Sequence, residues 1–423
     1  MPQQVILRDA MRRLNLTRDG LSQRIGVTRR ALDSWMLPDH SAEMRKMPDI
    51  AKRFIIELLK GLPPAPQSVD ALAPANSEMA HHLLSVDGYT RDSVEALLRV
   101  ADIMQPIARR QKTTRVLDGA VLANLFFEAS TRTRLSFSAA FARLGGSVCD
   151  TTGFTFSSMA KGESIQDTSR VISGYADAIV VRHPELGAVA EFAQATHVPV
   201  INAGDGPGEH PSQALLDLYT IQREFSRFGK LIDGAKIVFV GDLKYGRTVH
   251  SLSKLLALYR NLRLTFVSPE SLMMPGYLIE KLASLGHPIE QTQDLAQALI
   301  GADVVYATRI QKERFSQEET LEGYSADFQI NQAVVNRHCG ADTLIMHPLP
   351  RDSRPGANDL SVDLNRDSRL AIFKQTDNGV AVRMAIFATL LGVQDQVPHS
   401  LREVGWRVPV YLAPEDEVPY SDQ

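Results

Sequence analysis

Seven short runs of aliphatic and β-branched residues between positions 120 and 346 constrain the fold of this chain more than any other feature. Amphipathic segments such as Ser212 to Glu224 and Thr248 to Tyr259 separate them. Parallel sheets are covered by helices on both faces, so their strands are short continuous apolar runs. The pattern therefore predicts two doubly wound parallel-sheet α/β domains. The predicted strands are Ala120 to Phe127, Ala178 to Val181, Val198 to Asn202, Lys236 to Val240, Arg263 to Val267, Val304 to Ala307 and Leu344 to Met346.

The first 60 residues form a separate basic segment. They contain 12 Lys and Arg against 7 Asp and Glu, whereas the rest of the 423-residue chain has 34 against 42. Four prolines lie in the weakly charged stretch 61–76, a composition typical of an extended linker. Within the basic segment, Leu16 to Trp35 has the pattern of a helix, a glycine-containing turn and a second helix capped by Thr28. We therefore expect a small all-α domain over residues 1–60.

This helical pattern resembles the helix-turn-helix of the phage-repressor-like family, which implies that Arg29, Arg30 and Ser34 lie on a recognition helix. DNA binding by this domain is one interpretation. The other is a helical bundle, with Trp35, Leu32 and Ile25 in its core, that serves oligomer contacts alone.

Composition excludes several classes of protein. A net charge of −3 argues against a nucleic-acid coat, and no apolar stretch approaches the roughly 18 residues that span a bilayer. The start of the chain lacks the apolar segment of a secretory signal, which predicts a cytoplasmic protein. Cys149 and Cys339 are far apart, so neither a disulfide framework nor a cysteine zinc site is indicated. We expect buried free thiols.

A cluster of hydroxyl and guanidinium groups follows the first predicted strand: Ser130-Thr131-Arg132-Thr133-Arg134. Free backbone N–H groups, the positive end of a helix dipole and bidentate donors converge where a strand gives way to a helix. This combination predicts a pocket for a phosphate dianion. The alternative is a helix cap followed by two solvated arginines.

Two further polar motifs come after predicted strands, at the edge of the sheet where ligands bind in such folds. Arg182 ends one strand, and His210 and Gln213 open the helix that follows the next. His210 is suited to donate a hydrogen bond to a carbonyl oxygen, and Gln213 to contact a neighbouring amide. A structural histidine in a proline-containing loop is the alternative.

The second half of the chain adds cations after its strands. The turn at Gly241 to Thr248 lacks the Gly-x-Gly-x-x-Gly of a dinucleotide fold and carries Lys244 and Arg247, which suit a carboxylate. Arg309 follows another strand. Two arginines from separate loops can hold both ends of a dicarboxylate, although a solvated helix start also accounts for Arg309.

Two loops complete the set. His347-Pro348-Leu349-Pro350 offers backbone carbonyls in a proline-restrained loop, able to accept hydrogen bonds from an amine or amide. The stretch Ser157 to Ser164 has few apolar anchors and carries Lys161, which is either solvent-facing or reaches an anion site of a neighbouring subunit.

Taken together and in this order, these motifs resemble the catalytic chains of the aspartate carbamoyltransferase family over roughly Ser77 to Val393. The resemblance implies transfer of the carbamoyl group of carbamoyl phosphate to L-aspartate in pyrimidine biosynthesis, with no metal or organic cofactor. It also implies a carbamoyl-phosphate domain over 77–228, an aspartate domain over 229–375, a returning helix over 376–393 and a tail over 394–423.

The resemblance also implies residue roles. Ser130, Thr131, Arg132, Thr133 and Arg182 would bind the phosphate, and Thr133, Arg182 and His210 would polarise the carbonyl. Gln213 and the carbonyls of Leu349 and Pro350 would hold the NH₂ group. Arg247 would take the α-carboxylate of aspartate, and Arg309 and Gln311 the β-carboxylate. Ser157 and Lys161 would come from the adjacent subunit, with Lys161 acting in binding and catalysis, which implies a homotrimer or an assembly of trimers.

Two alternative functions and one question of partners stay open at this point. Ornithine carbamoyltransferases share the phosphate motifs, but they carry His-Cys-Leu-Pro where this chain has Pro348, and Arg309 suits an acidic substrate. A DNA-binding regulator with an effector-binding α/β body belongs to a different class. A regulatory chain or a dihydroorotase-like protein is a further candidate partner. We expect the leaving phosphate, rather than a side chain, to accept the amine proton.

Overall fold

The computed structural model describes residues 18–36, 45–59, 81–153, 162–309, 328–352 and 359–406, together with Gln3, Ile6, Leu7 and Ala10. The chain divides into two compact units, Met1–Asp70 and Ala71–Gln423. Three predicted site residues, Ser157, Lys161 and Gln311, lie outside the described residues.

The first unit contains three described helices: α1 (Arg18–Arg24), α2 (Arg29–Met36) and α3 (Asp49–Leu59). Gly26 turns the chain between α1 and α2 with a φ of 70°, a left-handed conformation that glycine adopts at little cost. The Thr28 hydroxyl caps α2 by accepting from the backbone N–H of Ala31 at 3.3 Å. The core of the unit consists of Ile6, Leu7, Ala10, Leu21, Leu32, Trp35, Met47, Ile55 and Leu59.

The first sheet of the second unit has four parallel strands in the order β3-β2-β4-β5, with helices in the connections. Because helices cover both faces of a parallel sheet, most residues of β2 and β4 are apolar and buried. In chain order the elements are α4 (Arg91–Ala108), β1 (Lys112–Thr113), β2 (Val121–Phe126), α5 (Thr131–Arg143), β3 (Ser147–Thr152), α6 (Ile165–Ile172), β4 (Ala178–His183), α7 (Ala188–Gln194), β5 (Val200–Asp205) and α8 (Pro211–Arg227).

The second sheet has five parallel strands in the order β10-β9-β6-β7-β8. Its elements are β6 (Lys236–Val240), α9 (Arg247–Leu256), β7 (Arg263–Val267), a 3₁₀ turn (Glu270–Leu272), α10 (Gly276–Ser284), β8 (Ile289–Thr292), α11 (Leu295–Leu299), β9 (Val304–Ala307), α12 (Gln332–His338) and β10 (Leu344–Met346). Both sheets are parallel throughout, which confirms the predicted pair of doubly wound α/β domains.

A long helix near the end of the described chain ties the two sheets together. After a 3₁₀ turn (Val362–Arg366), α13 (Ile372–Leu390) packs against α4, α5 and α8. One hydrophobic cluster contains Leu122 of the first sheet, Phe239 of the second and Phe387 of α13. Beyond α13 lie α14 (Val397–Ser400) and β11 (Arg402–Glu403), and β11 pairs antiparallel with β1.

Four strands and one statement about cysteine differ from the sequence expectations. The pattern missed the two-residue strands β1 and β11 and the longer strands β3 and β8, whose residues include several polar side chains. β3 and β8 are edge strands and are partly exposed, so they lack the continuous apolar run of a central strand. The expectation of buried thiols is wrong, because Cys149 lies on edge strand β3 and is exposed, and Cys339 is only partly buried.

Within the described part of the chain, every helix is too short or too polar to cross a lipid bilayer.

Candidate active site

A cavity of about 810 Å³ opens at the carboxyl ends of the strands of both sheets. Residues that follow β2, β5, β6, β9 and β10 line it together with Arg182 near the end of β4, because parallel strands end at the same edge of their sheet. Eleven of the fourteen predicted site residues line this cavity, and the other three lie outside the described residues. Those eleven are Ser130, Thr131, Arg132, Thr133, Arg182, His210, Gln213, Arg247, Arg309, Leu349 and Pro350.

The hydroxyl cluster occupies the start of α5. Ser130 is the N-cap residue, with extended backbone, but its side chain makes no capping hydrogen bond to the helix. The first backbone N–H groups of a 13-residue helix therefore lie at the cavity wall beside three hydroxyl groups. Such a helix start is an anion site. The prediction of a simple helix cap does not fit this geometry.

A carboxylate bridges two of the arginines. Glu128 Oε2 lies 3.1 Å from Arg182 Nε and 3.2 Å from Arg247 Nη2. The guanidinium groups also donate to backbone carbonyls, from Arg182 to Ala203 at 3.2 Å and from Arg247 to Gly206 at 2.5 Å. Carbonyls and one carboxylate thus hold both cations at the cavity, although Arg182 is on β4 of the first sheet and Arg247 begins α9, which follows β6 of the second.

His210 and Gln213 lie at the start of α8. His210 is the N-cap residue and is 4% exposed, and its backbone N–H donates to Ser251 Oγ at 3.2 Å. Gln213 donates from Nε2 to the buried Asp217 at 2.8 Å. The Gln213 side chain and the His210 backbone are therefore held in place before any substrate arrives, and His210 Nδ1 lies 3.4 Å from Ser212 Oγ.

The loop after β10 is fixed by His347. Its Nδ1 accepts from the backbone N–H of Leu349 at 2.8 Å, which puts the proton on Nε2, 3.0 Å from Asp359 Oδ2. Leu349 has a φ of 59° and precedes a cis peptide bond to Pro350. Because both ring nitrogens are used within the loop, His347 shapes the carbonyls of this loop instead of transferring protons.

The cavity is strongly cationic. Burial and the positive charge of Arg309 both lower the pKa of the Arg132 guanidinium. Among the described residues that line the cavity, five are arginines and a single one, Glu128, is acidic. A cavity of this kind binds small anions. No group of three or more His, Cys, Asp and Glu side chains suited to a metal ion occurs in the described part of the chain.

Several lining residues had no role in the sequence prediction. Arg383 and Gln375 come from α13, where nothing in the local pattern distinguishes them from packing residues. Burial lowers the pKa of Arg383 to about 10, and its guanidinium lies 4.8 Å from the ring centroid of Phe137. Glu128 lies two residues before Ser130, and the sequence pattern gave this carboxylate no role. Its proximity to Arg132 in sequence was the one available signal.

Two doubly wound domains that share a cation-rich cavity define a two-domain α/β protein for small anionic ligands. A sequence profile described as "Aspartate/ornithine carbamoyltransferase, carbamoyl-P binding domain" matches residues 81–223, and one described as "Aspartate/ornithine carbamoyltransferase, Asp/Orn binding domain" matches residues 233–390. These matches cover most of the chain, which therefore belongs to the aspartate/ornithine carbamoyltransferase family.

Individual relatives agree with this membership. The aspartate carbamoyltransferase catalytic subunit of Dichelobacter nodosus is 61% identical over 74% of this chain and 90% of its own length. That of Saccharophagus degradans is 57% identical over 77% and 96%. The solved aspartate transcarbamoylase of Trypanosoma cruzi in complex with carbamoyl phosphate and aspartate is 38% identical, with a TM-score of 0.69 over 75% of this chain and 99% of that one. The resemblance found in the sequence is confirmed.

Proposed function

We propose that this chain is an aspartate carbamoyltransferase, which transfers the carbamoyl group of carbamoyl phosphate to L-aspartate and releases N-carbamoyl-L-aspartate and phosphate. The observation that carries the proposal is the single cavity in which a helix start with three hydroxyl groups faces arginines from both sheets. Two anionic substrates match such a cavity in charge. The domain division remains the predicted one, with carbamoyl phosphate on 77–228 and aspartate on 229–375.

The phosphate half of the site takes carbamoyl phosphate. Ser130, Thr131, Arg132 and Thr133 with the first N–H groups of α5 bind the phosphate, and Arg182 joins them. Arg182, Thr133 and His210 donate to the carbonyl oxygen. Acceptors for the NH₂ group come from Gln213 and from the Leu349 and Pro350 carbonyls.

The other half takes aspartate. Arg247 binds the α-carboxylate and Arg309 the β-carboxylate, with Gln311 beside Arg309 in sequence. Fixed cations at both ends of a short diacid leave its amine facing the carbonyl carbon.

Catalysis then follows from position and charge. The amine nitrogen attacks the carbonyl carbon, and the oxyanion that forms is stabilised by the three carbonyl donors. As the tetrahedral intermediate collapses, the C–O bond to phosphate breaks and the leaving phosphate takes the amine proton. No side chain has to titrate during this sequence.

Aspartate is favoured over ornithine by charge. The five arginines in the cavity wall repel the side-chain ammonium of ornithine, whereas they attract a second carboxylate. Position 348 is also proline, not the cysteine found in the ornithine enzymes.

A colorimetric assay for carbamoyl-aspartate tests the proposal. The purified chain should form this product from carbamoyl phosphate and L-aspartate, and it should form no citrulline from L-ornithine at equal concentration. Citrulline alone would assign the chain to the ornithine branch. If neither product formed, carbamoyl transfer to both amino acids would be excluded.

Assembly and location are further parts of the proposal. A homotrimer, or an assembly of trimers, would let Ser157 and Lys161 of one subunit complete the site of the next. A native mass measurement tests this, since a monomer that is fully active would contradict it. The cytoplasmic location stays a prediction.

A second candidate function belongs to the first unit. Arg24, Thr28, Arg29 and Arg30 are exposed around the turn between α1 and α2, which favours contact with nucleic-acid phosphates. We expect a chain that lacks residues 1–70 to keep its turnover and to lose salt-dependent binding to duplex DNA. Loss of turnover in a truncated chain of unchanged assembly would show that the first unit serves catalysis instead.

A further inference from the structure

A fully buried carboxylate on α8 lies behind the cavity and bonds to side chains of α13 and of β9 in the second sheet. Asp217 is on α8, 0% exposed, and accepts three hydrogen bonds. Gln213 Nε2 donates to Oδ1 at 2.8 Å, Gln375 Nε2 donates to Oδ1 at 2.6 Å, and the Tyr306 hydroxyl donates to Oδ2 at 2.6 Å. Tyr306 is on β9 of the second sheet and Gln375 on α13, so three separate elements meet at this side chain.

The same contacts extend to the carbonyl loop. Gln375 Oε1 accepts from the backbone N–H of His347 at 3.1 Å, while its Nε2 is on Asp217. The side chain of Gln213 and the loop of Leu349 and Pro350 are therefore both connected to one carboxylate, Gln213 directly and the loop through Gln375. These are the two groups that supply acceptors for the NH₂ group of carbamoyl phosphate in the proposed function.

The hydrogen bond between Gln213 and Asp217 fixes which edge of the Gln213 amide faces the cavity. An ionised carboxylate only accepts hydrogen bonds, so Gln213 must present its NH₂ edge to Asp217. Its Oε1 edge is left for the cavity, which Gln213 lines. An acceptor at this position recognises N–H groups, and it gains nothing from a methyl group of the same size.

We propose that Asp217 is a positioning residue that sets donor specificity: it turns the Gln213 carbonyl toward the cavity and so selects a carbamoyl over an acetyl group. The inference rests on the proposed function. Its test compares carbamoyl phosphate with acetyl phosphate, which replaces NH₂ by CH₃ and keeps the phosphate and the carbonyl.

Burial raises the pKa of Asp217 to about 7, against the opposing effects of the Tyr306, Gln375 and Gln213 hydrogen bonds and of the Arg383 charge. The experiment is therefore run at about pH 8.5, where the carboxylate form predominates. The full-length protein is used, and the KM for carbamoyl phosphate, the KM for aspartate and the inhibition constant of acetyl phosphate are measured for each variant.

Asp217→Ala is expected to raise the KM for carbamoyl phosphate roughly tenfold, the effect of one lost acceptor, while the inhibition constant of acetyl phosphate stays within about twofold. The KM for aspartate should not change. Gln213→Ala should reproduce this pattern, and the double variant should lose clearly less than the sum of the two single losses, because the carboxylate acts in part through the Gln213 amide.

Thr220→Val is the matched control. Thr220 lies one turn further along α8, is equally buried and accepts from Asn378 of α13 at 3.1 Å, so its loss disturbs the same helix contact. It should leave the ratio of the two donor constants unchanged. If the alanine variant does not fold, Asp217→Val, which fills more of the volume and offers no acceptor, replaces it with the same expectations.

Two results would overturn the inference: equal weakening of both donors in the Asp217 variant, or additive losses in the double variant. Either would reduce Asp217 to a structural residue while leaving carbamoyl transfer intact. A wild-type protein that forms no carbamoyl-aspartate would instead refute the proposed function.

Discussion

Replacing Arg132 by alanine is expected to lower the turnover number by roughly 10²–10³-fold, or about 3–4 kcal/mol of transition-state stabilisation, without unfolding the chain. Arg132 is the second residue of α5 and lines the cavity. In the proposed function its guanidinium meets the charge that develops on the leaving phosphate. The loss corresponds to one donor removed from a preorganised anion site.

The same substitution should hardly change the stability of the protein, in contrast to its turnover number. The Arg309 charge and burial both lower the pKa of Arg132, so in the absence of an anion the protein gains nothing from holding this cation there. We expect the free energy of unfolding to change by no more than about 0.5 kcal/mol, the range of a substitution that removes no core contact.

The motif itself supplies the control. Arg134 lies two residues further along α5, pairs with Asp150 at 2.9 Å and does not line the cavity. Arg134→Ala should keep near-normal turnover. The assay is carbamoyl-aspartate formation, with thermal melting in parallel, and equal losses in the two variants, or near-normal turnover of Arg132→Ala, would refute the assignment of the phosphate site to the start of α5.

Two further predictions concern backbone space and pH. Gly204 has a φ of 130°, and a Cβ there would lie 3.0 Å from Arg182 Nη1 and 3.1 Å from the Arg247 guanidinium. Gly204→Ala should therefore lower the unfolding free energy by about 1–2 kcal/mol and raise the KM for aspartate. An unchanged melting temperature would contradict this prediction. The pKa of Asp217, about 7 in the folded chain, exceeds its ordinary value of 3.8, so its contribution to stability is fully present below pH 4 and is lost as pH rises toward 7. Asp217→Asn, which does not titrate, should therefore gain about 1.4 kcal/mol per pH unit relative to wild type across that window, as measured by melting both proteins at pH 5 and pH 7.

The sequence predicts the central strands well because a strand that is buried on both faces is a continuous run of apolar residues. Lys236–Val240, Arg263–Val267, Val304–Ala307 and Leu344–Met346 have the predicted bounds. Strands near the cavity continue beyond their apolar runs, as in β5, which runs to Asp205 because Asp205 pairs with His183 of β4 in the ladder. Local hydrophobicity does not register that pairing.

The cavity shows the same limit. Arginines, hydroxyl groups and a histidine that follow strands can be found from their positions, since parallel strands deliver them to one edge. The side chains that hold these residues in place cannot be found in this way. Asp217 meets Gln375 across 158 positions of sequence and Tyr306 across 89. A carboxylate within an otherwise apolar helix turn carries no local sign of which distant amides will face it.

The charge of the cavity links binding to stability. Glu128 is the one acidic residue in the described cavity wall, and it lies between Arg182 on β4 of the first sheet and Arg247 on α9, which follows β6 of the second. These are the cations assigned to carbamoyl phosphate and to aspartate, so each substrate anion competes for a guanidinium that Glu128 already holds. Binding of both anions adds negative charge to a described cavity wall that has five arginines and one carboxylate, and a ligand that binds only the folded state raises its stability by RT ln(1 + [L]/Kd). A bisubstrate analogue with one phosphonate and two carboxylates should therefore raise the melting temperature more than saturating phosphate and succinate added together, because one molecule places all its charges between the two domains without a second loss of translational freedom.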